Sequence, residues 1–68
     1  MYIFNKELKK ELMGDMTIRG IANLMGITEG YVSQVLNGKK KCSKLVAYCI
    51  CKIFNYNLEV EDCFERVD

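Results

Sequence analysis

Between residues 17 and 38 the chain alternates apolar and polar positions with a helical period, twice. Ile18, Ile21, Ala22 and Met25 recur at i, i+3, i+4 and i+7, the stripe of a short amphipathic helix. Gly26 follows, a residue suited to the position just past a helix end. Ile27 is apolar within the turn and is expected to plug the space between two helices. Thr28 can cap a second helix whose inward stripe is Val32, Val35 and Leu36, with Asn37-Gly38 as its stop. Two short helices joined by a Gly-containing turn of three or four residues make a helix-turn-helix.

The flanking segments carry weaker versions of the same pattern. Asn5 can cap a first helix reaching about Met13, with Phe4, Leu8 and Leu12 inward and Lys6, Lys9 and Lys10 facing out, on a solvated face or within reach of a phosphate. Gly14-Asp15 breaks it. Ser43 can cap a fourth helix to about Phe54, with Val46, Ile50, Ile53 and Phe54 inward. After the turn Asn55-Tyr56-Asn57, a last short helix starts near Glu59 or Val60, where Glu59, Glu61 and Asp62 complement a helix N-terminus. The expectation is an all-α fold, a compact bundle of five short helices (about 5–13, 18–25, 29–37, 43–54 and 60–65) in one domain, 1–68.

The central stretch resembles the Cro- and lambda-repressor-like (XRE-type) helix-turn-helix family, many of whose members are phage or mobile-element repressors. The resemblance is carried by Ile21-Ala22, Met25-Gly26-Ile27-Thr28, Val32-Ser33-Gln34-Val35 and Asn37-Gly38-Lys39, and more loosely by about Leu8 to Phe64. Cys51 stands where the family often has a small Ala. One departure is Ile18, where the family often has a phosphate-contacting Gln.

The resemblance implies that the helix 29–37 enters the major groove of a DNA duplex. Base edges would then be read by Glu29, Gly30, Ser33 and Gln34. Gln34 carries the amide for a bidentate contact to adenine; Glu29 only accepts, so cytosine N4 is its natural target. Ser33 is permissive, and Gly30 leaves room for a thymine methyl or water. Glu29 has a second reading, stabilising its own helix through the dipole. Backbone positioning falls to Thr17 and Arg19 at the N-terminus of the first motif helix, to Thr28 and Tyr31, and to Asn37, Lys39, Lys40 and Lys41 after the second. Gly20 sits inside a helix at a cost of roughly 1 kcal/mol relative to Ala; a close approach to some neighbour would account for it.

Charge sharpens this picture. The net charge is only +1, yet residues 1–52 hold nine basic and four acidic side chains while residues 53–68 hold one and five. A basic reading surface with an acidic tail suits a domain that grips phosphates and stays soluble; on charge alone an ordinary solvated surface fits equally well. With no His, and no nucleophile beside a base, the chain is not expected to be an enzyme. The start Met1-Tyr2-Ile3-Phe4-Asn5-Lys6 reads as neither signal peptide nor membrane span, so the expected location is cytoplasmic. The four cysteines, Cys42, Cys49, Cys51 and Cys63, read as reduced, partly buried small apolar residues. Cys49 and Cys51 lie about 200° apart around a helix and cannot share one ion, so no metal, and likewise no cofactor or small-molecule ligand, is expected.

The expected function is sequence-specific binding of double-stranded DNA as a transcriptional repressor. A homodimer would occlude a palindromic operator, pairing through Tyr56, Leu58, Phe64 and Val67. A second reading stays open: a protein-binding module on the same scaffold, an antirepressor or inhibitor of a host complex, working through its acidic, apolar C-terminal end.

Overall fold

The computed structural model describes residues 1–67; Asp68, the last residue of the expected domain, lies outside them. Five α-helices are present among the described residues: α1 (Lys9–Met13), α2 (Ile18–Met25), α3 (Glu29–Leu36), α4 (Lys44–Phe54) and α5 (Val60–Cys63). A 3-10 turn, Lys6–Leu8, leads into α1, and two strands, β1 (Tyr2–Phe4) and β2 (Phe64–Arg66), flank the whole set.

The strands correct the all-α expectation: the fold is mostly helical with a small sheet. β1 and β2 pair antiparallel, with Tyr2 opposite Arg66, Ile3 opposite Glu65 and Phe4 opposite Phe64. Tyr2 also exchanges two backbone hydrogen bonds with Cys42, each 2.8 Å. Aromatic and β-branched side chains favour a pleated, half-buried strand, but Tyr2-Ile3-Phe4 becomes one only because the far end of the chain meets it. The sheet also shortens the last helix. It stops at Cys63 rather than 65, since Phe64 (φ −121°, ψ 149°) is already extended. The first helix begins later than residue 5 for a related reason: the chain leaves β1, is capped by Asn5 Oδ1 accepting from Glu7 N–H (3.1 Å), and turns through 3-10 geometry first.

Local chemistry sets the remaining boundaries. Thr17, Thr28 and Ser43 hydroxyls accept from the backbone N–H groups of Gly20, Tyr31 and Val46 at 3.0, 3.2 and 3.2 Å, capping α2, α3 and α4. Both central helices end alike. Gly26 and Gly38 take the left-handed conformation (φ 69° and 71°). Behind them the N–H groups of Ile27 and Lys39 reach back to the carbonyls of Ala22 and Gln34, at 3.1 and 2.9 Å. A short acidic N-terminus fits α5, where Glu59 N–H donates to Asp62 Oδ2 at 2.8 Å.

The core runs through every layer: Ile21 and Ala22 from α2, Val32, Val35 and Leu36 from α3, Ala47, Ile50 and Cys51 from α4, Val60 and Cys63 from α5, with Cys42 and the paired Phe4 and Phe64. Phe4 is inward as expected, but from a strand. Its ring meets Phe64 edge-on at 5.2 Å and Phe54 at 6.0 Å. Phe64 is 5% exposed, which removes it from the expected pairing surface. Val46, Ile53 and Phe54 are only half-buried; the fully inward face of α4 is Ala47, Ile50 and Cys51. No helix among the described residues is long and apolar enough to cross a membrane.

Candidate nucleic-acid interface

The α2–turn–α3 unit buries its apolar stripes in the shared core, α2 against α4 and α3 against α2 and β1, and leaves a polar side to solvent. Val32, Val35 and Leu36 are fully buried, so helical geometry sends Glu29, Gly30 and Gln34 outward, and all three are exposed; Ser33 is half-buried beside them. The arc expected to read bases is therefore on the surface of one helix. Thr17 and Thr28 are exposed caps whose hydroxyls are committed to their own helices. Gly20 has its explanation here: a Cβ would come within 3.2 Å of Thr17 Oγ1, so the close approach is to the cap of its own helix.

Glu29, Ser33 and Asn37 follow one another at four-residue spacing and form a row along α3. A cation from a different helix holds each end. Arg19 of α2 donates Nε–H to Glu29 Oε2 at 3.2 Å, an exposed pair (74% and 54%) of little weight for stability. At the other end Lys9 Nζ donates to Asn37 Oδ1 at 2.8 Å, and Asn37 Nδ2 donates to Ser33 Oγ at 3.3 Å. Lys9 was expected on a solvated face; it is half-buried, because the first segment lies against the C-terminal end of α3. Gly38 marks that contact, its Cβ direction 3.5 Å from the Phe4 carbonyl and 3.7 Å from Lys6 Cβ.

Lys39, Lys40 and Lys41 are exposed directly after α3. With Lys6 and Lys9 they gather positive charge at the C-terminal end of the helix, which its dipole favours. Lys40 Nζ lies 5.7 Å from the Tyr31 ring centroid, and Tyr31 is half-buried. Burial, with the neighbouring Cys42 second, raises the Tyr31 phenol above its ordinary value, so it remains an O–H donor. Sequence reasoning assigned Arg19 and the lysine run to phosphates and Glu29 to a base, and paired none of them with one another. It named Lys9 only as a solvated or phosphate-reaching lysine, and no local signal points to its contact with Asn37, 28 residues away.

The cysteines stand apart from this surface chemistry. All four are free; Cys42, Cys51 and Cys63 are buried and Cys49 is half-buried. Burial first, then Cys63, pushes the Cys51 thiol up to about 12, and its Sγ lies 3.7 Å from the Glu59 carbonyl, to which it donates. Burial likewise raises Cys42 and Cys63. These are protonated packing groups at neutral pH, not nucleophiles.

Fold and surface together define a small helical domain with one polar, cation-edged helix face. Compared with known proteins, the chain matches no family model, no curated protein and no solved structure.

Proposed function

We propose that the chain is a sequence-specific double-stranded DNA-binding protein of the helix-turn-helix kind, a cytoplasmic transcriptional repressor that acts by occupying its operator. One observation carries the reading: Glu29, Ser33 and Gln34 lie on the outer side of α3 while Lys39, Lys40 and Lys41 line its exit. A helix presenting amide, hydroxyl and carboxylate groups can read base edges in the major groove. Lysines beside it, and the capped N-terminus of α2 with Arg19, suit the flanking phosphates. Two copies on a palindromic site would place two such helices about 34 Å apart. Tyr56, Leu58 and Val67 stay in the pairing proposal, with Tyr56 82% exposed.

The deciding measurement is binding to duplexes recovered from a random library, titrated with salt. Affinity is expected to fall steeply as salt rises, and replacing any one of the three lysines with Ala to lower the log–log slope by about one. Gln34→Ala is expected to weaken the preferred duplex by roughly 1–3 kcal/mol and leave random DNA unchanged. Binding that ignores both salt and sequence would end the reading. The competing one, a protein-binding module working through its acidic, apolar C-terminal end, draws on exposed Tyr56, Glu59, Glu61, Asp62 and Glu65, and on it the lysine variants would behave like wild type.

A further inference from the structure

The hydrogen bonds from Lys9 through Asn37 to Ser33 have a direction that does not depend on placing any proton. An ammonium group only donates, so the Asn37 atom facing Lys9 at 2.8 Å is the carbonyl oxygen. The opposite end of that amide, 3.3 Å from Ser33 Oγ, is then the NH2, and the Ser33 oxygen accepts from it. A hydroxyl that accepts from its structural neighbour keeps its own proton for something else. Ser33 is half-buried and lies between exposed Gln34 and exposed Glu29 on the outer arc of α3.

Resting on the DNA reading above, we infer that Ser33 is a specificity-determining residue that works as a hydrogen-bond donor. It selects a base edge offering an acceptor (guanine N7 or O6, adenine N7, thymine O4), and Lys9 is the positioning residue that fixes this polarity through Asn37. A serine is ordinarily indifferent, able to donate or accept, and so discriminates poorly. Here one of its two acceptor sites is spent inside the protein while its proton is not. The row then carries a fixed order of polarity: Glu29, which can only accept, one turn before Ser33, which donates. Lys9 and Arg19 therefore do different work at the two ends. Arg19 steadies an acceptor by its charge, and Lys9 turns an amide round so that the next group becomes a donor.

The test uses the full chain and its preferred duplex, recovered from a random library, with each of the four bases then placed at each position. Ser33→Ala is expected to lose discrimination at one position by roughly two- to tenfold, the worth of one net hydrogen bond, and the base preferred there must offer an acceptor. Asn37→Asp is the sharper probe. Both Asp oxygens accept, so the Ser33 hydroxyl must turn inward to donate, and the preferred base at that position should change to one offering an amino group. Overall affinity will fall with the added negative charge, but the readout is the preferred base. Lys9→Met should blur the preference, and Lys9→Arg, which keeps a donor-only cation, should restore it. An arm without DNA is independent: the Asn37 side-chain NH2 resonances of the free protein should shift in Lys9→Met. If they do not, the relay is absent and the inference fails whatever the protein binds. If Ser33→Ala leaves every base preference intact, the hydroxyl proton is spent within the helix, for example on the carbonyl four residues back, and the inference also fails. A wild-type chain that recovers no duplex removes the DNA reading and base selection with it, while the Asn37 resonances still report on the relay.

Discussion

A single hydroxyl sets where α3 begins. Thr28 Oγ1 satisfies the Tyr31 N–H, one of four donors that a helix start leaves open, and the position of Glu29 and Ser33 depends on that start. Thr28→Ala is expected to destabilise the fold by about 1 kcal/mol, read as a lower urea midpoint at unchanged slope. The buried thiols make a second prediction at this scale. A thiol whose folded pKa is raised holds its proton longer than in the unfolded chain. The stability it contributes is complete below about pH 9 and is lost as pH climbs toward about 12, the Cys51 value. Cys42, Cys63 and Tyr31 are shifted in the same direction. Thermal melts should therefore show falling stability above pH 9, and Cys51→Ala should flatten the decline. An aromatic disulfide reagent is expected to label half-buried Cys49 before the other three.

At the scale of the element, two glycines make opposite demands. Gly26 ends α2 at φ 69°, a conformation in which a Cβ costs about 1–2 kcal/mol, so Gly26→Ala should destabilise by that amount. Gly30 is in the first turn of α3 with open space around its Cβ direction. Gly30→Ala should stabilise by up to ~1 kcal/mol. The same substitution four residues apart thus differs in sign, and chemical denaturation of the two variants checks it. Elements of this kind were readable beforehand. Thr17, Thr28 and Ser43 cap, Gly26 and Gly38 stop, and the stripes of α2 and α3 lie on the inward side, because each depends on groups within one helical turn. The first and last segments were not readable in the same way. Phe64 and Glu65 were expected to continue a helix, and nothing near them in the chain says that they pair with Phe4 and Ile3.

For the whole molecule the paired ends matter most. Phe4 joins β1 to β2 and α4 through its contacts with Phe64 and Phe54. A chain of this length has roughly 3–10 kcal/mol of stability in total, and truncating a buried Phe to Ala costs about 3–5 kcal/mol. Phe4→Ala is therefore expected to leave a large unfolded fraction at 37 °C, measured by far-UV circular dichroism. Loss of the same strand contacts would release the first segment from the end of α3, and Lys9 with it.

The candidate surface divides along the same line. By itself the sequence determined the outward arc Glu29, Gly30, Ser33 and Gln34, because a 3.6-residue period and the identity of three buried apolar residues leave those positions nowhere else to point; the lysines follow the helix simply by their place in the chain. Tertiary structure alone decided that Lys9 reaches Asn37 and that Arg19 holds Glu29. It also decided that Phe64 is core and that the two ends of the chain form a sheet. Those contacts join residues from ten to more than sixty positions apart, and their energy exists only once separate elements have packed; no local propensity encodes it.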